Sequence, residues 1–351
     1  MESIYDMIEQ ITPPDETALA AARRQWDSLA KPLGSLGILE DNITRIAALR
    51  EEKHVRLDRR SLLVFCADNG VVQQGVSQSD HTVTTAVAAA LGQGGSTVCH
   101  LAGPVHCDVI PVDVGMEDDT PAGVVNRKLQ AGTQDITRGP AMTREQCIQA
   151  MLTGAEMAME QAKHAADILL LGEMGIGNTT TATAAACVLL DCEPEKLTGR
   201  GAGLSDAGLG CKVSAIRQAL AVNQPDPDDP IDMLSKVGGF DLAALCGACL
   251  GGAFCHVPVL LDGLMTDVAA LCAVRLCPSV RDALIASHIS PEPASKLLLD
   301  ALGLSPMISA GLRLGEGSGA VLALPLLDAA LSVYHSGHTF TALGIDAYAP
   351  Q

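Results

Sequence analysis

Aromatic side chains are nearly missing from this chain: Phe, Tyr and Trp make up 2% of its 351 residues, against 34 glycines. A core without large rings must close through Ala, Leu and Val, and through backbones brought near one another at glycine. Basic residues are scarce too. There are 23 Lys and Arg against 41 Asp and Glu, a formal charge of −18. That balance excludes a nucleic-acid backbone and an anionic membrane surface as partners, since both require a basic face. A small anionic ligand stays open, because helix N-termini and one or two lysines can hold a phosphate locally. The stretch MESIYDMIEQ lacks a basic segment followed by an apolar one, so no secretory signal is expected. Twelve cysteines without such a signal suggest reduced thiols in a cytoplasm.

Familiar catalytic and metal-binding patterns are absent as well. There is no H-E-x-x-H, no EF-hand loop and no aspartate-rich Mg²⁺ motif, and no Ser or Cys has an obvious base partner. No metal and no cofactor are therefore expected. Cys246 and Cys249 form a C-x-x-C, with Cys255 and His256 close behind, but no second pair accompanies them. Their surroundings, LAALCGACLGGA, read as a helix of small apolar residues with both thiols on one packed face. His335 and His338 have no acidic or Cys neighbour and are read as ordinary. Leu242 to Leu261 is long enough to span a bilayer. Its Gly, Ala and Cys content, His256 and Pro258 favour a buried helix followed by a buried strand, so no membrane span is expected.

What the chain does contain is a repeating theme. Residues 1–50 carry helical patterns, Ala18 to Trp26 and Leu36 to Leu49, separated by the breaker Lys31-Pro32-Leu33-Gly34. Then come short apolar runs: Ser61 to Cys66, Cys107 to Val114, Ala166 to Leu171, Val257 to Leu261 and Ala283 to Ala286. Each ends in polar or glycine residues and is followed by a helical stretch. Continuous apolar runs are what a parallel strand buried on both faces requires. Their alternation with helices predicts an α/β fold with a doubly wound, mainly parallel sheet. In such sheets ligands collect beyond the carboxyl ends of the strands, where Asp68, Asn69, Asp113, Glu173, Asp262, Ser287 and His288 all fall. Asn223 to Asp232, rich in Pro and Asp, reads as a surface connection.

Three glycine-rich segments are candidates for chemistry. In Arg313-Leu314-Gly315-Glu316-Gly317-Ser318-Gly319-Ala320 one carboxylate stands among three glycines, just before a long apolar run. Glycine lets a backbone approach a ligand closely, and a helix opening behind the loop offers free N–H groups. A solvated turn is the ordinary alternative for a glutamate so placed. The second segment, Gly172-Glu173-Met174-Gly175-Ile176-Gly177-Asn178-Thr179-Thr180, follows an expected strand and opens an Ala-rich helix, with Asn178 or Thr179 the expected N-cap. Strand, glycine loop and helix together can hold phosphate through backbone N–H groups, although the spacing matches neither G-x-G-x-x-G nor a P-loop. The third, Gly199-Arg200-Gly201-Ala202-Gly203, precedes Lys212, and Arg200 and Lys212 could neutralise a phosphate nearby; taken alone, Lys212 reads as part of a solvated helix face. Two carboxylates and a phosphate cradle suggest displacement at a phosphorylated substrate, with a carboxylate as general base.

Six segments then occur in one order: Lys31 to Gly37 (KPLGSLG), Cys66 to Val71 (CADNGV), Gly172 to Thr180 (GEMGIGNTT), Lys236 to Asp241 (KVGGFD), Pro258 to Gly263 (PVLLDG) and Arg313 to Ala320 (RLGEGSGA). Over nearly its whole length the chain resembles the nicotinate-nucleotide–dimethylbenzimidazole phosphoribosyltransferase (CobT) family. The resemblance implies movement of the phosphoribosyl group of nicotinate mononucleotide onto a benzimidazole nitrogen, giving α-ribazole 5′-phosphate and nicotinate, in assembly of the cobalamin nucleotide loop. It implies a Rossmann-like large domain, residues 56–304, and a small helical domain from both chain ends, residues 1–55 and 305–351, in a homodimer. It assigns Glu316 as general base and keeps Glu173 as the second catalytic carboxylate. Around the ribose phosphate it places Glu173, Gly175, Ile176, Gly177, Asn178, Thr179, Thr180, Lys212, Ser287 and Ser290. Ser79, Met174, Leu314 and Gly315 line the acceptor-base side with Glu316. One departure stands out: Val87 occupies a position where better-known members carry Gln, which opens the acceptor to another benzimidazole, adenine or a phenol. Alternatives from other classes are a non-catalytic nucleotide- or base-binding paralogue and a thiol-redox or metal protein built on Cys246, Cys249 and Cys255.

Overall fold

The computed structural model describes residues 3–52 and 54–348; residues 1, 2, 53 and 349–351 of the expected small domain lie outside that range. Six strands form one sheet: β1 (Arg60–Ala67), β2 (Cys107–Gly115), β3 (Val125–Asn126), β4 (Ile168–Met174), β5 (Val259–Leu261) and β6 (Leu284–Ala286). Their order is β3-β2-β1-β4-β5-β6, with every pairing parallel. The order reverses direction between β1 and β4, and a crevice opens beyond the strand ends at such a point.

The expected apolar runs are the strands, for the expected reason. Leu62 to Cys66 of β1 and Ile168 to Leu171 of β4 are all fully buried, because both faces of the sheet are covered. Alternate residues feed two cores. Leu63, Phe65, Leu169, Leu171 and Leu261 pack under the helices Arg144–Lys163, Phe240–Phe254 and Leu264–Leu276. Leu62, Val64, Leu170, Leu260 and Ile285 pack under Ile38–Arg50, Thr97–Ala102 and Ser318–Tyr334.

Glycine does the packing that rings would do elsewhere. A methyl group on Gly154 would lie 1.8 Å from the carbonyl oxygen of Ala244, and one on Gly247 would lie 1.8 Å from that of Met151. The helices Arg144–Lys163 and Phe240–Phe254 therefore touch backbone to backbone. Cys246 and Cys249 lie fully buried on the second of these, and burial pushes both thiols well up. They are core packing, as their neighbours implied. The segment from Leu242 to Leu261 is that helix followed by β5. Among the described residues no helix is long and apolar enough to cross a membrane.

The two chain ends meet across Trp26, whose ring packs against Tyr334 at a 55° tilt with centroids 5.0 Å apart. Leu29 and Thr339 form an isolated antiparallel bridge. The first helix, Ile4–Gln10, instead sends Ile4 and Met7 into the core beneath Phe240–Phe254.

Three local expectations need correction, and one strand went unanticipated. β4 continues through Met174, because β1 pairs with it as far as Cys66, so Glu173 is a strand residue and not part of the following loop. The helix after the second glycine segment begins at Asn178 with Gly177 as its cap; the Asn178 amide is drawn to the Glu173 carboxylate and does not cap. Asp113 lies inside β2, where its carboxylate accepts from the Gly115 and Met116 N–H groups and pairs with Lys128. That is a structural role beside the sheet end, not a place in the crevice. The edge strand β3, two residues long, has too little sequence to show a pattern.

Candidate active site

A cavity of about 310 Å³ opens where β4, β5 and β6 end. β4 supplies Glu173 and Met174, the end of β5 supplies Asp262, and the segment after β6 supplies His288 and Ser290. The helix His81–Gly92 presents Val83 and Val87, one turn apart, with Ser79 just before it. The Arg313 to Ala320 segment closes the remaining side with Leu314, Gly315 and Glu316. A second recess of about 80 Å³ adjoins it, lined by Gly175 to Thr179, Gly201 and Lys212. Gly175, Ile176, Asn178, Thr179, Gly201 and Ala202 belong to both. Two larger cavities, about 580 and 450 Å³, lie among the helices Glu16–Ser28 and Ile38–Arg50, on a face that carries none of these residues.

Most of the anticipated residues converge on this crevice: Ser79, Glu173 to Thr179, Lys212, Ser290 and Leu314 to Glu316. Two do not reach it. Thr180 is fully buried beneath the loop, and Ser287 is fully buried with its hydroxyl donating to the Asp262 carbonyl oxygen. Others went unassigned. Glu292 accepts the Gly201 N–H at 3.1 Å and lines the cavity; its setting between Pro291 and Pro293 is the one signal it carried. Asp241 is fully buried at the start of Phe240–Phe254, and its mark in the sequence was a lone charge opening an apolar helix.

Glu316 is held in a demanding conformation. Its φ is 59°, between Gly315 at 84° and Gly317 at 83°, so three successive residues are left-handed. For a residue with a Cβ this conformation costs about 1–2 kcal/mol and persists only where the surroundings enforce it. Here the Glu316 N–H donates to the Glu173 carbonyl at 3.2 Å, and its carboxylate accepts the Val98 N–H at 3.3 Å. The side chain is buried yet lines the cavity, so it is no solvated turn residue.

Burial governs the charges around it. Desolvation raises Glu173 to about 8, helped by the nearby charges of Asp241, Asp262 and Glu316. Desolvation likewise raises Asp262 to about 7 and Asp241 to about 6, in each case against hydrogen bonds from backbone N–H groups. Lys212 is fully buried rather than solvated. Its ammonium donates to the Thr179 hydroxyl at 2.8 Å and the Gly199 carbonyl at 3.3 Å, and burial lowers it to about 8. A cation without a hydrogen-bonded carboxylate, beside a glycine turn that opens a helix, has the chemistry to hold an anion. The cavity next to it pairs a buried carboxylate with an apolar wall of Val83, Val87, Met174, Leu312 and Leu314. An anionic group and a flat apolar group can be held side by side, with one carboxylate within reach of the second.

The family model described as phosphoribosyltransferase matches residues 11–345. The nicotinate-nucleotide–dimethylbenzimidazole phosphoribosyltransferase of Acetivibrio thermocellus is 44% identical over 99% of both chains. The enzyme of the same name from Yersinia enterocolitica is 40% identical over 96% of both. Among solved structures, CobT from Thermus thermophilus superposes with a TM-score of 0.90 at 39% identity, covering 95% of this chain and 100% of that one.

Proposed function

This chain belongs to the nicotinate-nucleotide–dimethylbenzimidazole phosphoribosyltransferase family, and we propose how its crevice carries out that family's reaction. The enzyme is a transferase that moves the phosphoribosyl group of nicotinate mononucleotide to dimethylbenzimidazole in cobalamin synthesis. The observation that carries the mechanism is the buried carboxylate of Glu316 in one cavity with the glycine turn that leads to Lys212.

Lys212, Thr179 and the turn Gly175 to Gly177 hold the 5′-phosphate in the smaller recess, with Ser290 at the ribose side. The acceptor base lies in the larger cavity between Ser79, Met174 and Leu314. In nicotinate mononucleotide the pyridinium nitrogen already bears positive charge at C1′, so nicotinate leaves as a neutral ring without a proton from the enzyme. The attacking benzimidazole must lose its N–H proton as its other nitrogen bonds C1′. Glu316 takes that proton as general base. Attack opposite the leaving group converts the β-linkage to α, which requires the two rings on opposite faces of the ribose. Glu173 retains its own proton at neutral pH and so adds no second negative charge beside the base. Val87 adds apolar surface to that wall, which suits the ring and methyl groups of a benzimidazole acceptor better than a polar edge.

The organisation proposed with it is a cytoplasmic homodimer, each chain with a small helical domain from residues 1–55 and 305–351 and a large domain from 56–304. All twelve cysteines are free thiols, which supports a reducing compartment. Light scattering on the purified chain reads the oligomeric state.

Nicotinate release with nicotinate mononucleotide and a panel of bases (dimethylbenzimidazole, benzimidazole, adenine, phenol, p-cresol), followed by chromatography, tests the reading. Release that requires an added base is expected. Folded protein that binds the nucleotide but releases no nicotinate with any base would instead mark a non-catalytic binding protein.

A further inference from the structure

The helix Ser318–Tyr334, which follows Glu316, has no cap of its own. Its N-cap is Gly317, which has no side chain to satisfy the free N–H groups of the first turn. The Ser318 N–H donates to the Gly315 carbonyl at 3.0 Å, and the next two are satisfied from elsewhere in the chain. Oδ1 of Asp262, at the end of β5, accepts the Gly319 N–H at 2.6 Å and the Ala320 N–H at 3.3 Å. Counting from Gly317, these are the second and third helical positions, the two that a local Ser, Asp or Asn cap would serve. Asp262 is therefore an N-cap supplied across the fold.

Its own placement is rigid. The Asp262 N–H donates to the Thr266 hydroxyl at 2.8 Å, and its carbonyl accepts from the Ser287 hydroxyl at 3.2 Å. Contact is close enough to demand glycine at the receiving position: a methyl group on Gly319 would fall 2.8 Å from Asp262 Oδ1 and 1.9 Å from His288 Nδ1. Glu316 stands one residue before the cap in its strained turn, so whatever fixes the helix start also fixes the direction of that carboxylate.

We infer that Asp262 is a positioning residue for the transfer reaction: from the end of β5 it caps the helix Ser318–Tyr334 and thereby holds the left-handed turn that presents Glu316. The inference rests on the assignment of Glu316 as base.

The experiment compares Asp262→Ala, Asp262→Asn, Gly319→Ala and Glu316→Gln with wild type by nicotinate release, with a thermal melt of each. Misplacing a reacting group by roughly 1 Å costs about 10²-fold, so Asp262→Ala is expected to lower kcat by about that factor while the nucleotide KM moves by less than about three-fold. Asp262→Asn keeps an oxygen acceptor and is expected to recover most of the loss. Gly319→Ala adds a good helix former, so a drop in kcat there reports the steric displacement and not helix propensity. Wild-type kcat in folded Asp262→Ala, or equal losses in the Ala and Asn variants, overturns the inference. So does a joint loss of kcat and nucleotide binding that tracks the melt, which would be a role in folding alone. If Asp262→Ala does not fold, Asp262→Asn and Gly319→Ala decide: an active, folded Gly319→Ala with unchanged kcat rejects it. Activity surviving in Glu316→Gln removes the assignment beneath it; a silent Glu316→Gln beside a fully active Asp262→Ala removes this inference only.

Discussion

The backbone N–H of Glu316 donates to the carbonyl oxygen of Glu173 over 3.2 Å, which docks the Glu316 turn onto the last residues of β4. Gly172 makes the approach feasible, since a methyl group there would come within 2.5 Å of the Glu316 carbonyl carbon. One contact thus brings two distant glycine-rich segments together and puts both carboxylates in one cavity. The two side chains are not equivalent. Glu173 is tied to Asn178 and holds its proton to about pH 8, whereas Glu316 reaches the Val98 N–H and the cavity.

Replacing Glu316 with Gln preserves the shape of the turn and removes the proposed proton acceptor. General-base catalysis contributes about 10²–10⁴-fold, and kcat is expected to fall by that much. In the proposed arrangement the nucleotide sits mainly against Lys212 and the Gly175 to Thr179 turn, so its binding should persist. Equilibrium binding of nicotinate mononucleotide, measured beside turnover, separates the two effects. Comparable turnover in the variant would assign the base elsewhere.

Lys212 predicts a pH dependence of nucleotide binding. Burial lowers its pKa to about 8, so the ammonium is charged below that pH and neutral above it. Only the charged form attracts phosphate. The nucleotide KM is therefore expected to rise as pH passes through about 8, with the acceptor KM steady. Lys212→Ala should raise the nucleotide KM about 10–100-fold, as loss of a hydrogen bond from a charged group does, and should abolish the rise above pH 8. A nucleotide KM that is flat from pH 7 to 9 in wild type contradicts the assignment.

Much of this arrangement was legible in the residues, and the exceptions have physical causes. Strands buried on both faces must be continuous apolar runs, so Leu62 to Cys66 and Ile168 to Leu171 announce themselves. Glu316 between two glycines announces a turn that few other sequences tolerate. Lys212 does not, because its burial is created by the Gly199 segment folding over it. The capping role of Asp262 joins positions 57 residues apart, beyond any local rule. Asn178 defeats the local capping rule because the half-buried Glu173 draws its amide away from the helix start. Val83 lines the cavity only through the pitch of its helix, and nothing in its neighbours marks it.

Glu173 predicts how stability varies with pH. Its carboxyl is raised from an ordinary 4.5 to about 8 in the folded chain, chiefly by burial. Between those values the native state keeps a proton that the unfolded chain releases, so stability is greatest below the lower value and falls as pH rises through the window. An amide cannot ionise. Glu173→Gln is expected to lose less melting temperature between pH 5 and pH 8 than wild type. Asp262 and Asp241, raised in the same direction, leave part of the slope in place. Parallel curves for the two proteins would mean that Glu173 is already ionised in the fold.

The acceptor wall gives the last prediction. Val83 and Val87 face the cavity one turn apart, with Met174, Leu312 and Leu314 completing the surface. Val83 is 37% exposed and Leu314 50%, apolar area that a flat ligand would cover. Dimethylbenzimidazole matches such a wall with its ring and methyl groups. Adenine carries ring nitrogens and an exocyclic amine, and a polar group buried there without a partner costs about 1–3 kcal/mol. Wild type is therefore expected to prefer dimethylbenzimidazole over adenine in kcat/KM. Val87→Gln supplies one hydrogen-bonding group at the wall and should move the ratio toward adenine by about ten-fold, at the lower end of that same range. The nucleotide KM should not change, because Val87 does not line the recess around Lys212. Competition between the two bases in one reaction, with products resolved by chromatography, measures the ratio directly. If Val87→Gln leaves it where it was, the acceptor's polar edge lies away from this helix and Ser79 or Leu314 sets the preference.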